Sequence, residues 1–204
     1  MLNILYCLDE NYNYQALSSI ISVLDNSLSK LNIYIIHKDP KSLKNLPDKI
    51  SKHSNLNEIK IIKFEAENKY FPNIENTHIS EATYYRLYIE SLLPENLNEV
   101  LYLDCDVICI NDPTEEVLNI SEKIKVSKNI ISAKTEFIKG NDNKQFFENL
   151  NSNLNQYFNA GVMYIDLKRW RNFNVEEKSL KIINEKEQDL QYWDQDVLNI
   201  LFEN

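Results

Sequence analysis

The chain has 204 residues, enough for one well-buried domain and too few for two of ordinary size. Hydrophobic residues make up 43% and charged residues 26%, ordinary for a soluble globular chain, while 31 acidic against 22 basic side chains (net −9) exclude a basic stripe for nucleic acid or an anionic membrane surface. Glycine occurs only at Gly140 and Gly161, which excludes a glycine-rich phosphate loop, so a phosphate would have to be held by a metal, side chains or isolated amides.

The apolar start lacks a basic leader and runs into Asp9 and Glu10, so it reads as a strand over residues 3–8, not as a signal peptide or membrane span. Cys7, Cys105 and Cys109 all lie in apolar runs and read as reduced thiols of a cytoplasmic protein. No histidine or second cysteine pair stands ready to complete a zinc set with Cys105 and Cys109. Leu17, Ile20, Ile21, Leu24 and Leu28 recur at helical spacing and predict a helix over residues 14–28. A strand at 31–36, a helix at 40–52 and a strand at 58–64 follow, then a loop at 65–77 containing Pro72. Ser80 opens a helix that Pro94 stops, and a strand at 100–103 leads into Asp104. Asp112-Pro113 signals the start of a short helix. Strands are predicted at 130–133 and 162–165, separated by an Asn-rich exposed loop at 151–155. Asn174 starts a helix over 175–186, and Asp194 caps a last helix to Phe202. This alternation predicts an α/β domain with a mostly parallel sheet flanked by helices. Ligands then sit beyond the carboxyl ends of the strands, where Asp9, Asp104 and Asp106 fall.

The run Leu101-Tyr-Leu-Asp104-Cys-Asp106-Val-Ile-Cys-Ile110 sets two carboxylates among apolar strand residues. A fold keeps carboxylates in such surroundings only if something compensates their desolvation. In extended chain the two would point to one side, their Cα atoms roughly 6.5 Å apart. They could then converge on a hard cation that takes oxygen ligands at about 2.0–2.5 Å. A strand-end turn with both acids solvated or capping is an equally open reading of the spacing alone.

With these pieces placed, the chain resembles a bacterial member of glycosyltransferase family 8, the retaining nucleotide-sugar transferases. The resemblance is carried by Asn3-Ile-Leu-Tyr-Cys-Leu-Asp9-Glu-Asn11-Tyr12, by His78-Ile-Ser80-Glu-Ala-Thr-Tyr-Tyr-Arg86-Leu and by Leu101-Tyr-Leu-Asp104-Cys-Asp106-Val. Tyr157-Phe-Asn159-Ala-Gly161-Val and Asp194-Gln195-Asp196-Val-Leu-Asn complete it, in the expected order. It implies a single GT-A domain over residues 1–204, with a Rossmann-like nucleotide-binding half. The family's late His-x-x-Gly-x-x-Lys-Pro-Trp segment is not among these residues, nor is the basic or amphipathic membrane-binding segment of some members; membrane attachment is not supported by this chain.

The implied activity is transfer of galactose or glucose from UDP-galactose or UDP-glucose to a saccharide or lipid-linked acceptor, with Mn²⁺ or Mg²⁺ as cofactor, in surface polysaccharide assembly. By the resemblance, Asp9, Asn11 and Tyr12 hold the uracil and ribose, and Arg86 contacts the donor sugar or diphosphate. Asp104 and Asp106 hold the metal, while Asn159, Asp194 and Gln195 surround the donor sugar. Gln195, Asp194 and Asp106 are the catalytic candidates. The chemistry suits these types: Tyr12 can stack on a base, Arg86 can make paired bonds to phosphate oxygens, and amides match sugar hydroxyls. Each position also has a plain structural reading, as a helix cap for Asp9 and Asp194, an ion pair for Arg86 or packing for Tyr12. Two other functions compete: a nucleotide-sugar-binding fragment without turnover, and a magnesium-dependent phosphohydrolase with its nucleophile in the Asp-x-Asp run. For the phosphohydrolase the sequence shows no convincing further acidic pair.

Overall fold

The computed structural model describes residues 1–65, 69, 71–72, 80–136, 150 and 157–202. Most of the predicted 65–77 loop, His78, Gly140 and the Asn-rich 151–155 stretch lie outside these residues. Apolar, β-branched and aromatic runs form β1 (Leu2–Leu8), β2 (Leu31–His37), β3 (Leu56–Lys63), β4 (Glu99–Leu103), β5 (Ile131–Glu136) and β6 (Tyr157–Asp166). Among the described residues these six strands make one sheet in the order β3-β2-β1-β4-β6-β5. The first four strands pair in parallel; β6 runs antiparallel to β4, and β5 antiparallel to β6.

The helices are α1 (Asn13–Asn26), α2 (Asp48–Ser51), α3 (Ile89–Leu92), α4 (Thr114–Val126), α5 (Leu167–Phe173), α6 (Val175–Lys186) and α7 (Trp193–Leu201). The sheet has a core on each face, because successive strand side chains point to opposite sides. Ile4, Tyr6, Leu8, Leu101 and Leu103 pack with Ile20 and Leu24 of α1 and Val117 and Ile124 of α4. Leu5, Cys7, Val100 and Tyr102 pack on the other face with Trp170 of α5, Ile183 of α6 and Val197 and Leu198 of α7. That second layer also takes an aromatic 3-10 helix, Glu81–Tyr88, whose Tyr85 ring stacks on Phe64 at 3.7 Å.

Several predicted boundaries move. The helix expected at 40–52 is broken into a 3-10 turn, Pro40–Leu43, and α2, because Pro47 removes an amide donor and restricts the residue before it. The helix opened by Ser80 is 3-10 up to Tyr88 and α-helical only in α3. The short helix after Asp112-Pro113 is the 13-residue α4. Asp112 Oδ1 accepts from the Thr114 amide and hydroxyl at its start and from the Leu28 amide beyond α1. The last helix begins at Trp193, so Asp194 lies inside its first turn and is not its cap. β6 starts at Tyr157, well before the predicted 162, and this extension builds the site described below.

At the carboxyl end of β2, His37 is fully buried. Its Nδ1 accepts the Asp39 amide at 2.8 Å, so the ring proton sits on Nε2 and is donated to Asn13 Oδ1, also 2.8 Å away. Burial lowers its pKa, which makes the unfolded chain the better proton binder below the ordinary histidine value. The native state should therefore lose stability as pH falls from about 6.5 toward the lowered value, and His37→Gln should remove most of that slope. Urea unfolding at pH 7.5 and 5.5 checks this; an identical slope in the variant would show that His37 is not its source.

Candidate functional site

Leu103 is the last residue of β4 to pair with β6, opposite Val162, and β6 extends back from there to Tyr157 with no β4 partner. Buried backbone groups must find other partners. The Asp104 amide donates to the Gly161 carbonyl at 2.7 Å, and Arg86 Nη1 to the Ala160 carbonyl at 2.6 Å. Gln195 Oε1 accepts the Ala160 amide at 3.0 Å. Asn199 accepts from the Phe158 amide at 2.8 Å and donates to its carbonyl at 2.9 Å. The exposed Asn159 accepts the Gly161 amide at 2.8 Å. Asn159-Ala160-Gly161 thus forms a shelf fastened by side chains.

Arg86 is the floor beneath it, only 5% exposed. In a 3-10 helix residues i and i+3 eclipse, so Thr83 and Arg86 share a face. Arg86 Nε donates to the Thr83 carbonyl at 3.1 Å, and Nη2 lies 3.1 Å from Asp104 Oδ1. Asp194 Oδ2 sits 2.8 Å from Nε; because the Nε proton is aimed at Thr83, this oxygen is held by charge and not by a directed bond. The other Asp194 oxygen accepts the Thr83 hydroxyl at 2.6 Å. The Tyr102 ring supports the guanidinium at 4.4 Å. Asp194 is 2% exposed, and burial pushes its carboxyl up to about 6 against the pull of Arg86 and Thr83.

The Asp-x-Asp pair does not lie in extended strand. β4 ends at Leu103, and the Val107 amide closes a turn onto the Asp104 carbonyl at 3.2 Å. Strand alternation still delivers Asp104 to the Arg86 side, two residues past Tyr102, whose hydroxyl donates to Asp104 Oδ1 at 2.7 Å. The remaining oxygen, Oδ2, is pressed against Gly161: a Cβ there would stand 2.7 Å from it. Asp106 is exposed and shares a cleft of about 440 Å³ with Asn11, Tyr14, Gln15, Ser18 and Ile108. Among the described residues no group of three His, Cys, Asp or Glu is placed to hold a metal. Two carboxylates nonetheless fit a hard divalent ion of the magnesium kind, which takes one or two from protein and completes its shell with phosphate and water. Between them, burial pushes the Cys105 thiol up to about 12, so it adds no third negative charge.

Asp9 is buried at the end of β1. Its Oδ1 accepts the Asn11 amide at 2.9 Å, capping the 3-10 turn Glu10–Tyr12, and its Oδ2 accepts the Ser80 hydroxyl. Asp9 therefore ties the first strand to the helix that carries Arg86. Asn11 is exposed beside the cleft, and Tyr12 is half-buried against the α1 layer.

On α7, Gln195 is oriented by Ala160, and Asp196 is fully buried. Asp196 Oδ1 accepts the Tyr157 hydroxyl at 2.5 Å, and Oδ2 accepts the Gln191 and Tyr192 amides at 2.7 Å each, so Asp196 is the carboxylate that closes the start of α7. Those bonds hold a bend at Trp193, whose φ of 49° lies in the left-handed region that costs a bulky residue about 1–3 kcal/mol. Sequence reasoning missed Thr83, Tyr102, Tyr157 and Asn199. Spacing carried a signal for two of them: Tyr102 lies two before Asp104 on a strand, and Asn199 four after Gln195 on a helix.

The sheet order, with an acidic turn at the carboxyl edge of a central strand, is that of the GT-A fold. A crystal structure of the galactosyltransferase LgtC in complex with donor and acceptor sugar analogues superposes with a TM-score of 0.82 at 24% identity, covering 99% of this chain and 71% of that one. The sequence matches Glycosyl transferase family 8 over residues 3–204, and the chain belongs to that family. It is 33% identical over 204 residues to lipopolysaccharide 1,2-glucosyltransferase of Escherichia coli (strain K12), covering 98% of this chain and 58% of that protein. It is 27% identical over 209 residues to general stress protein A of Bacillus subtilis (strain 168), covering 98% and 69% respectively. The chain thus spans a little over half the length of the Escherichia coli relative. Among the described residues no helix is long and apolar enough to cross a membrane.

The contact between Gly161 and Asp104 is open to a direct check. Gly161 has no left-handed φ, and Gly→Ala at a compatible position usually stabilises by about 0.4–1 kcal/mol. Here the added methyl meets Asp104 Oδ2, so Gly161→Ala should destabilise by about 1–3 kcal/mol. Most of that loss should vanish when Asp104→Ala is combined with it. Urea unfolding of the single and double variants decides, and a neutral or stabilising Gly161→Ala would remove the close approach.

Proposed function

We propose that the protein is a metal-dependent retaining glycosyltransferase of the cytoplasm. It moves a hexose, galactose or glucose, from UDP-galactose or UDP-glucose to a hydroxyl of a saccharide or lipid-linked acceptor. The observation that carries the reading is the Arg86 floor, which binds Asp104 and Asp194 under the Asn159–Gly161 shelf at the carboxyl edge of the sheet. The relatives add the chemistry, since the Escherichia coli protein is named as a glucosyltransferase and LgtC as a galactosyltransferase. Those two names also leave the hexose as either epimer.

On this reading Asp104 and Asp106 hold Mn²⁺ or Mg²⁺. When bound, the ion offsets the diphosphate charge in a protein of net charge −9 and stabilises the leaving group. Asp9, Asn11 and Tyr12 wall the uracil and ribose. Arg86, enclosed as it is, acts on the donor through the carboxylates it orients. Asn159 and Gln195 present amides to the sugar hydroxyls, with Asp194 behind them. Asp196 has both oxygens engaged inside the protein, which argues against its use as a nucleophile. The Gln195 carbonyl is a weak nucleophile, so front-face attack fits best. The acceptor oxygen bonds to the anomeric carbon as the bond to the phosphate oxygen breaks, and the acceptor proton passes to that phosphate.

Calorimetry with UDP in Mn²⁺ or Mg²⁺ and in chelator tests the reading. UDP should bind only with metal, and Asp104→Asn combined with Asp106→Asn should weaken it by roughly ten- to a hundred-fold. Equal affinity in chelator would end the metal assignment. Metal-dependent UDP binding with no release of UDP from either UDP-hexose would leave a donor-binding unit without turnover.

A further inference from the structure

We infer that Tyr157 is a positioning residue for Gln195: its hydroxyl, polarised by Asp196, fixes which end of the Gln195 amide faces the donor sugar. The inference rests on the UDP-hexose reading of the site and goes beyond it by assigning what sets Gln195. A glutamine amide can turn over end for end, and its two ends offer opposite hydrogen-bond chemistry. Here each neighbour has a defined sense. The Tyr157 hydroxyl sits 2.5 Å from Asp196 Oδ1, a buried carboxylate oxygen that can only accept, so the hydroxyl proton points there. Its lone pairs are left facing Gln195 Nε2, 3.1 Å away. On the other side the Ala160 amide can only donate, and it meets Gln195 Oε1 at 3.0 Å. Glu136 Oε2, 3.4 Å from Nε2, favours the same sense.

Turning the amide over would set its NH₂ against the Ala160 amide and its carbonyl against a hydroxyl lone pair and a carboxylate. The orientation is thereby locked, with the carbonyl oxygen on the Asn159–Gly161 shelf and one lone pair left for the donor. Asp196 thus closes the start of α7 and, through Tyr157, sets a side chain one residue before it. Phenylalanine at 157 would keep the ring and remove the polarity.

The test is a double-mutant cycle of Tyr157→Phe and Gln195→Ala, reading UDP release from UDP-glucose and UDP-galactose with Mn²⁺ and UDP affinity by calorimetry. Tyr157→Phe should lower kcat about ten-fold with donor KM little changed, since misplacing a reacting neighbour acts on the rate. In the Gln195→Ala background the same substitution should have almost no further effect. UDP alone, which lacks the sugar, should bind all four proteins equally. An equal fold loss in both backgrounds would mean a general structural role and overturn the inference while leaving the donor site intact. If the wild type binds donor without turnover, the same cycle is read on UDP-hexose affinity. A wild type that binds no UDP overturns the site reading and this inference together. A second measurement stands even if Tyr157→Phe does not fold. In ¹⁵N spectra of the wild type, assigned through Gln195→Ala, the Gln195 side-chain amide protons should be dispersed and slow to exchange. Solvent-like exchange there would equally overturn the inference.

Discussion

Arg86 carries a full positive charge at 5% exposure, between Asp104 Oδ1 and Asp194 Oδ2, and that placement constrains every element near the carboxyl edge of the sheet. Taking an ion out of water costs several kcal/mol unless partners and hydrogen bonds replace its hydration. The replacements here come from four places: the turn after β4, the start of α7, the Ala160 carbonyl on β6 and the Thr83 turn of its own helix. None of these can shift without leaving a buried charge or donor unpaired. Two carboxylates that would otherwise repel are thereby held on one guanidinium.

The topology explains why these groups meet. β4 runs parallel to β1, so Asp9 and Asp104 both emerge at the carboxyl edge. β6 runs antiparallel to β4, which brings its beginning, not its end, to that same edge. Because β4 is five residues and β6 ten, the surplus of β6 overhangs the site. Still paired with β5 on one side, its backbone on the side that β4 no longer covers becomes the attachment for Arg86, Gln195, Asn199 and Asp104. Glycine at 161 completes the arrangement by yielding space for Asp104. A strand mismatch, ordinarily a source of unsatisfied amides, is what makes the shelf.

Much of this was legible in the sequence where periodicity is strong. β1, β2, β3, α1 and α6 fall within two residues of their predicted bounds at every end, since apolar runs and helical spacing report burial directly. The 3-10 character of Glu81–Tyr88 was not legible, because over eight residues a period of three and one of 3.6 leave the same pattern. The early start of β6 was hidden by Asn159, Ala160 and Gly161, all poor strand formers that tertiary partners override. The Asp-x-Asp run stayed open between extended chain and a strand-end turn because Val107, Ile108 and Ile110 continue the apolar pattern; Ile108 and Ile110 prove exposed and the run is a turn. Asp9, Asp104, Asp106, Arg86, Asn159, Asp194 and Gln195 could be named from motifs, yet their mutual contacts could not. Those contacts join positions far apart in the chain, and no local pattern encodes them.

The central claim is that the Arg86–Asp194–Asp104 cluster is one energetic unit, and a double-mutant cycle on stability tests it most directly. Arg86→Met, Asp194→Asn and the double variant are compared with the wild type by urea unfolding at pH 7.5. Arg86→Met alone leaves the buried Asp194 carboxylate uncompensated and should cost about 3–5 kcal/mol. The double variant should cost less than the sum of the single ones by about 2 kcal/mol or more. Additive losses would mean that Arg86 and Asp194 stabilise the fold independently, and that the site is not built on their pairing.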